Sequence, residues 1–407
     1  MKGGLEKALD VAARVWSFGK SGQGPTLFTG EAKPARKPKQ ADPIEVKELY
    51  GRLVASYGES INDLQRRFLS LSSYFNDAQA RKLFGTGEEE ALKGVLSLLH
   101  QPVTLDRALE AAMSASQEFI PVDSASLFVP NSADQLVFRL GENTPQAFVD
   151  LRINPGSNTP MRRAYDSGEM KVLKGSRQGR RYSAQSLVVP VVSVFEGAIS
   201  SEGVMNYTNH SAPGVVTNYD LAIAKVFAYA AGIVCSAKRI ENHVLDGLKA
   251  IVGEDPKINN HSENVAEVAY GLARSIGLPD EEVQSLLLAC SLHDFGLVGK
   301  NVTLPSDRVN HDVYRHAERG ARLLSDFKSL PRVRQIGSLV GVHHSGFGNL
   351  GPCLMAGEDF NAADVLRVSE LYQELTEDGV KGADRTAYME SAAGVPREYV
   401  QALERAA

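Results

Sequence analysis

Histidine and carboxylate residues are concentrated in the C-terminal third of this 407-residue chain. Six of its nine histidines follow residue 250, and two of them are adjacent at His343 and His344. Adjacent side chains on a helix point about 100° apart. Two neighbouring imidazoles therefore suit a site with two separate binding partners, such as a pair of metal ions, better than a single contact in the core. Because His, Asp and Glu side chains together bind divalent iron, manganese or zinc, these residues predict a metal site.

Five predicted helices each carry a histidine or a carboxylate on an apolar face. In HSENVAEVAYGLARSIGL, His261 lies four residues before Val265 on the apolar stripe, where side chains at i and i+4 are neighbours. A lone histidine in such a place is ordinarily a core or surface-edge residue, whereas a buried carboxylate costs several kcal/mol unless it is paired. Five such helices therefore favour one shared metal centre, because the metal would satisfy all of these polar groups.

Two of the candidate positions are pairs of adjacent residues, His293-Asp294 and His343-His344. Such pairs fit two metal ions about 3.5–4 Å apart, with the Asp294 carboxylate able to bridge them. The sequence thus predicts a binuclear centre of divalent ions, with iron or manganese as the first candidates and zinc as a further one.

The overall composition is that of an ordinary soluble protein, with 43% apolar residues, 23% charged residues and a formal net charge of −5. General nucleic-acid binding usually shows a basic surplus, and three scattered cysteines do not make a disulfide framework. We therefore expect a cytoplasmic protein without general nucleic-acid binding. The most apolar stretch, LAIAKVFAYAAGIVC at 221–235, contains Lys225 and is shorter than the roughly 20 residues of a membrane span. It is predicted to be a packed helix, without membrane association.

The chain is predicted to be multidomain. Residues 1–45 are interpreted as an N-terminal helix and a disordered linker, and residues 46–100 as helices that could pair between two chains in a homodimer. Residues 101–235 combine helices with strand-like runs such as SASLFV, QLVFRL and SLVVPVVSVF, which predicts an α+β layer domain. Residues 236–407 show helical patterns throughout, so an all-α domain is expected there.

The α+β segment resembles a GAF domain, the small sensory module found before bacterial signalling enzymes, in its order of helix, mixed strands and closing helix. Asn206 and Asp220 can be matched to the signature of GAF domains that bind cyclic nucleotides, but Tyr207, Val216 and Leu221 depart from it. The resemblance therefore implies a sensor whose ligand is unknown. The basic stretch KVLKGSRQGRR, at 171–181, is interpreted as an exposed loop in preference to an anion site.

The segment from about residue 245 resembles the HD superfamily of metal-dependent phosphohydrolases, and specifically its HD-GYP branch. HSENVAEVAYGLARSIGL resembles the opening helix of that family, LLLACSLHDFG the His-Asp helix, YRHAERGARLL the following helix and VGVHH the double-histidine step. GEDFNAADVLRVSELYQELT resembles the segment with the last carboxylate ligand. The resemblance implies that two divalent metal ions are bound by His261, His293, Asp294, His316, His343, His344 and Glu370.

The segments that recognise substrate depart from this family. Leu297 occupies the lysine position of the HD-x-G-K pattern, and Ser345 stands where a glutamate should follow the double histidine. Of the Gly-Tyr-Pro motif, only Gly351 and Pro352 remain. The resemblance thus implies a conserved metal scaffold with an altered substrate site.

Three residues are the candidates for catalysis in a working enzyme. Asp294 would act as the bridging ligand, while Lys300 or Arg319 would replace the missing lysine as the group that contacts a substrate phosphate. The alternative for Arg319 is a solvated surface side chain that contacts no substrate.

Three functions remain open on this basis. The favoured one is a signalling phosphodiesterase that hydrolyses a cyclic dinucleotide, either cyclic di-GMP or a variant such as cyclic GMP-AMP, under regulation by the GAF-like domain. The alternative is a metal-binding receptor or interaction protein in cyclic-dinucleotide signalling, with a signalling partner protein and little or no turnover. The third is a broad phosphohydrolase that acts on mononucleotides.

Overall fold

The computed structural model describes residues 43–80, 84–101, 103–142, 149–173, 177–178, 181–182, 185–195, 198–209, 217–298, 311–344, 361–391, 395 and 397–406. The predicted linker within residues 1–45 therefore lies almost entirely outside the described residues. The chain forms two compact units. The first takes its described residues from 68–96 and 106–236, and the second from 38–67, 97–105 and 237–407.

An antiparallel sheet is the centre of the first unit. The described strands are β1 (Ser124–Pro130), β2 (Leu136–Glu142), β3 (Arg152–Ile153), β4 (Lys171–Leu173), β5 (Arg177–Gln178), β6 (Arg181–Tyr182), β7 (Gln185–Phe195) and β8 (Ala198–Asn209). Six of them form one sheet in the order β3-β2-β1-β8-β7-β4, while β5 pairs with β6. The β-branched runs noted in the sequence thus form β1 and the long β7–β8 hairpin.

Helices cover both faces of this sheet. The first five described helices of the chain are α1 (Pro43–Ala80), α2 (Thr86–Ser97), α3 (Leu105–Gln117), α4 (Pro160–Ser167) and α5 (Asn218–Gly253). On one face, Ala164 of α4 packs in a core cluster with Phe128, Val188 and Val204. On the other face, the hydroxyl groups of Tyr207 and Ser116 of α3 are hydrogen-bonded at 2.6 Å. The first unit is therefore an α+β layer structure, which confirms the predicted fold class.

The second unit is built from helices. After the C-terminal part of α5 come α6 (Pro256–Ser275), α7 (Asp280–Leu292), α8 (His311–Leu324), α9 (Pro331–Val342), α10 (Ala362–Glu377), α11 (Gly382–Ser391) and α12 (Arg397–Ala406). Helix α6 packs against α7, α10 and α12, and α8 packs against α9. The expected all-α domain is thus confirmed for the described residues.

Local sequence signals explain where the helices of the second unit begin. The Asp255 side chain accepts hydrogen bonds from the first backbone N–H groups of α6, directly before a proline at the first helical position. Asn361 and Asp364 form a reciprocal capping box at the start of α10. These caps fix the residues at which α6 and α10 begin.

Helix α5 is long and apolar enough to cross a membrane by composition, with a mean hydropathy of 1.5 over its most apolar window. However, 78% of that window is buried inside the protein. Its side chains are therefore in contact with protein, as in a core helix.

Candidate metal centre

Seven side chains of the second unit converge on one buried cluster. They come from α6, from the turn His293–Leu297 that follows α7, from α8, from the end of α9 and from α10. Six of them are at most 6% exposed, and His344 is half-buried. The seven are the predicted ligands His261, His293, Asp294, His316, His343, His344 and Glu370.

Three overlapping groups of donor atoms lie in this cluster, and within each group the atoms are no more than 4.8 Å apart. One group comes from His261, His293 and Glu370. A second comes from His316, His343 and His344, and a third joins the two by taking one atom each from His293, Asp294 and His343. Each group is large enough to bind one ion, so the cluster has the donor atoms for more than one metal.

The two oxygens of Asp294 face different parts of the cluster. Its Oδ1 lies 2.9 Å from His316 Nε2, whereas its Oδ2 lies 3.4 Å from His293 Nε2 and 3.9 Å from His261 Nε2. This carboxylate therefore reaches both ends of the cluster, which is what a bridging ligand requires.

Two of the histidines are oriented by backbone carbonyl groups of their own helices. His293 Nδ1 donates to the carbonyl of Cys290 at 2.7 Å, and His343 Nδ1 donates to the carbonyl of Val340 at 2.6 Å. The proton is thereby placed on Nδ1, so Nε2 presents a lone pair to the centre of the cluster.

One polar atom at the centre has no partner within the described protein. His293 Nε2 is buried and makes no hydrogen bond, although Glu370 Oε2 lies 3.1 Å away. A neutral Nε2 and a carboxylate are both acceptors, so a proton or a metal ion must stand between them. The residues present therefore fit a bound cation.

The electrostatics of the cluster support the same conclusion. Burial opposes the charged form of His261, but the Glu370, Glu377 and Asp294 carboxylates outweigh burial and raise its pKa to about 11. Burial is likewise outweighed at His293, whose pKa is raised to about 9 by Asp294 and Glu370. The pKa of Glu370 is well below its usual range because the gain from His293 and His261 exceeds the cost of burial. A cation at this end of the cluster would take the place of the imidazole protons beside these carboxylates.

At the opposite end of the cluster, His343 and His344 are neutral imidazoles. Burial and the neighbouring histidines keep the pKa of His343 well below its usual range, and burial lowers the pKa of His344 to about 4. His316 Nε2 and His343 Nε2 lie 3.0 Å apart. Neutral imidazole nitrogen is the form that binds a transition metal, so His343 and His344 need no deprotonation at neutral pH.

The predicted catalytic residues are placed differently. Asp294 lies inside the cluster, whereas Arg319 is half-buried and its guanidinium donates to the carbonyl of Gly296 at 2.8 Å. Leu297, at the expected lysine position, is only 3% exposed. Lys300 lies outside the described residues, as does the whole altered segment from Ser345 to Pro352.

Two functional contacts were not expected from the sequence. Glu377 Oε1 lies 2.9 Å from His261 Nδ1, and Arg367 Nε donates to the carbonyl of Val342 at 3.0 Å. Both residues lie on α10, seven residues after and three residues before Glu370. That helical spacing is the signal by which they could have been found.

This part of the chain is similar to a known protein family. Residues 258–389 match the HD domain. All seven residues of the cluster lie within the match. HD domains bind divalent metals and define a superfamily of metal-dependent phosphohydrolases, and this part of the chain is similar to them. No curated protein matches the chain.

Solved structures that match the chain include GAF domains. One is the GAF domain from an Acinetobacter phosphoenolpyruvate-protein phosphotransferase, with 13% identity and a TM-score of 0.29 over 37% of this chain and 94% of that chain. Another is a GAF domain/HD domain protein from Geobacter sulfurreducens, with 11% identity and a TM-score of 0.28 over 35% of this chain and 98% of that chain. At such TM-scores the α+β assignment rests on the sheet and helices described above.

Proposed function

We propose that the protein is a signalling phosphodiesterase of HD-GYP type that hydrolyses a cyclic dinucleotide at a binuclear metal centre. The observation that carries the proposal is the convergence of three overlapping donor groups in one buried cluster, with His293 Nε2 left without a hydrogen-bond partner among them. The HD domain match supports the phosphohydrolase class. The choice of a cyclic dinucleotide rests on the resemblance of HDFG and VGVHH to the HD-GYP branch.

The donor set also supports an assignment of ligands to ions. His261, His293 and Glu370 would hold one ion, His316, His343 and His344 the other, and Asp294 would reach both. Five imidazoles and two carboxylates suit iron or manganese, with zinc as a further candidate. Such ions would activate a water molecule and stabilise the charge that develops on the phosphoryl group.

The protein side chains contribute orientation and exclusion of solvent. The carbonyl groups of Cys290 and Val340 fix the rings of His293 and His343, and burial strengthens electrostatic interactions inside the cluster. His344 is the half-buried member of the seven. We propose that substrate approaches from the side of His344, because it is the most exposed of the seven side chains.

A receptor with little turnover is the second candidate, and one observation favours it. Among the described residues, one cation expected to contact a substrate phosphate is absent, and another already donates one hydrogen bond to the protein. Leu297 replaces a lysine and is buried, and the Arg319 guanidinium donates to the carbonyl of Gly296. A centre that binds metal and nucleotide but lacks the lysine at position 297 would retain substrate affinity and have a lower rate of hydrolysis.

The experiment that separates these functions is a turnover assay on metal-loaded protein. Cyclic di-GMP, cyclic GMP-AMP and mononucleotides are incubated separately with the full chain, and products are resolved by chromatography. Linear dinucleotide or mononucleotide products from a cyclic dinucleotide support the phosphodiesterase. Binding of a cyclic dinucleotide without product supports the receptor, and turnover of mononucleotides alone supports a broad phosphohydrolase. The double variant H293A/D294A controls for contaminating enzymes, because it removes two of the proposed ligands.

A further inference from the structure

We infer that Glu377 is a positioning residue that fixes His261 as an Nε2 ligand of the metal centre, with Gln373 holding the Glu377 carboxylate in place. This inference rests on the metal centre proposed above. His261 Nδ1 lies 2.9 Å from Glu377 Oε1. Its Nε2 lies 3.1 Å and 3.2 Å from the two oxygens of Glu370. A proton on Nδ1, directed at Glu377, leaves the Nε2 lone pair facing the cluster.

The position of His261 in its helix explains why another helix must supply this contact. His293 and His343 directly follow the ends of α7 and α9, where the last carbonyl groups lack helical partners and can accept from Nδ1. His261 lies inside α6 (Pro256–Ser275), where main-chain carbonyls are already engaged in helical hydrogen bonds. The Glu377 carboxylate on α10 therefore orients His261 through Nδ1, as backbone carbonyl groups orient His293 and His343.

The Glu377 carboxylate is itself held by a second side chain. Gln373 Nε2 donates to Glu377 Oε1 at 2.9 Å, and Gln373 is only 8% exposed. Gln373 and Glu377 are four residues apart, so they are neighbours on one face of α10. The same oxygen thus accepts from Gln373 and faces His261, which restricts the carboxylate to one orientation.

A carboxylate has a further effect that a carbonyl group does not have. A negative charge on the Nδ1 side makes Nε2 a more basic donor, and second partners of this kind typically change metal affinity by roughly ten- to hundredfold. Glu370 and Glu377 are seven residues apart on α10, which is close to two helical turns. One face of α10 therefore provides both a candidate ligand and the group that orients a second ligand on α6.

The test is a competition titration of the full chain with zinc and a chromophoric chelator. Glu377→Ala removes charge and acceptor, and we expect it to weaken zinc binding at one of the sites by roughly ten- to hundredfold. Glu377→Gln keeps an acceptor oxygen but not the charge, so we expect a smaller loss. Asp378→Asn removes a charge from the exposed neighbouring residue and should leave zinc affinity unchanged.

A second readout distinguishes positioning from a general structural effect. Nitrogen NMR of the imidazole groups in the zinc-loaded protein should show His261 with a protonated Nδ1 in the wild type and an altered Nδ1 signal in Glu377→Ala. Wild-type zinc affinity and an unchanged His261 signal in a folded Glu377→Ala variant would overturn the inference. If that variant does not fold, the near-isosteric Glu377→Gln decides by the same criterion.

The outcome is separable from that of the proposed function. A wild-type protein that binds zinc, loses affinity in Glu377→Ala and hydrolyses no cyclic dinucleotide would support the positioning role and reject the phosphodiesterase. A wild-type protein that binds no metal would overturn both.

Discussion

Gly296 and Gly320 form the contact between the turn that carries His293 and Asp294 and the helix that carries His316. A Cβ atom added at Gly296 would lie 2.1 Å from the carbonyl oxygen of His316 and 2.9 Å from the Gly320 nitrogen. A Cβ atom added at Gly320 would lie 3.3 Å from the Gly296 nitrogen. Gly296 is needed because a Cβ atom there would overlap the backbone of the neighbouring helix, whereas a Cβ atom at Gly320 would be a tight contact.

The variant Gly296→Ala tests this contact. Its methyl group meets backbone atoms that cannot move without displacing His316, so we expect the free energy of unfolding to fall by about 1–3 kcal/mol. Metal content should fall with it. Denaturant unfolding and metal analysis measure the two effects. Gly253→Ala is the matched control, because a Cβ atom there would have nothing within 4 Å. Equal stability of the two variants would show that the two backbones are not in contact.

Glu241 supports the start of the helix that ends in the double histidine. It is 1% exposed, its Oε1 accepts from the backbone N–H of Arg332 at 2.6 Å, and its Oε2 lies 3.3 Å from Lys238 Nζ. Among the described residues, Glu241→Ala would leave the buried Lys238 with the carbonyl of Gln101 as its remaining partner. We expect a loss of about 3–5 kcal/mol of unfolding free energy, which is typical of breaking a buried ion pair.

The control for Glu241→Ala is Glu254→Ala, since Glu254 is exposed near the end of the same helix. Removing an exposed charge should change the free energy of unfolding by no more than about 0.5 kcal/mol. Chemical denaturation of both variants measures the difference. Indistinguishable midpoints would mean that the Glu241 pair adds no net stability.

Leu297 offers a gain-of-function test of the substrate site. Leu297→Lys restores the cation expected three residues after Asp294, and a new hydrogen bond to a phosphate is worth about 1.5–3 kcal/mol. We therefore expect cyclic dinucleotide turnover to rise by roughly tenfold or more. Because Leu297 is buried, the variant should also unfold at lower denaturant concentration. Leu297→Met, which keeps an apolar side chain, should leave turnover at the wild-type level.

An unchanged turnover in Leu297→Lys, with metal and nucleotide binding intact, would argue against the missing lysine as the limit on catalysis. The altered segment after His344 would then be the feature to change.

Elements bounded by strong local signals could be predicted from the sequence. Helices α7 and α9 begin next to Pro279 and Pro331 and end at the candidate ligands, as the apolar spacing indicated. Helix α4 was missed, although Thr159 caps it and Gly168 ends it with a φ of 66°. Its eight residues span only about two helical turns, too few for an apolar repeat to be counted, and its buried Arg162 is paired with Asp134 and Asp166. Sequence patterns assign arginine to the exposed face of a helix, so a buried Arg162 hides which face of α4 is buried.

The part of the candidate site that lies in short sequence motifs could be predicted. The spacing of His261, His293 and His316 indicated which side chains share a face, because each lies on or at the end of an apolar helix. The contact of Glu377 with His261 depends on how α10 packs against α6, and the pairing of β1 with β8 joins residues about 80 positions apart, such as Ser126 and Asn206. Tertiary contacts of this kind have no local signal in a single sequence.

The central claim is that the converging side chains form a binuclear metal centre, and metal stoichiometry tests it most directly. Purified wild-type protein, the variant H293A/D294A and the control His100→Ala, at an exposed histidine of the second unit, are analysed for iron, manganese and zinc by mass spectrometry. We predict about two ions per chain in the wild type and the control, and almost none in the double variant. A wild-type protein without metal, or a double variant that keeps its full metal content, would contradict the account.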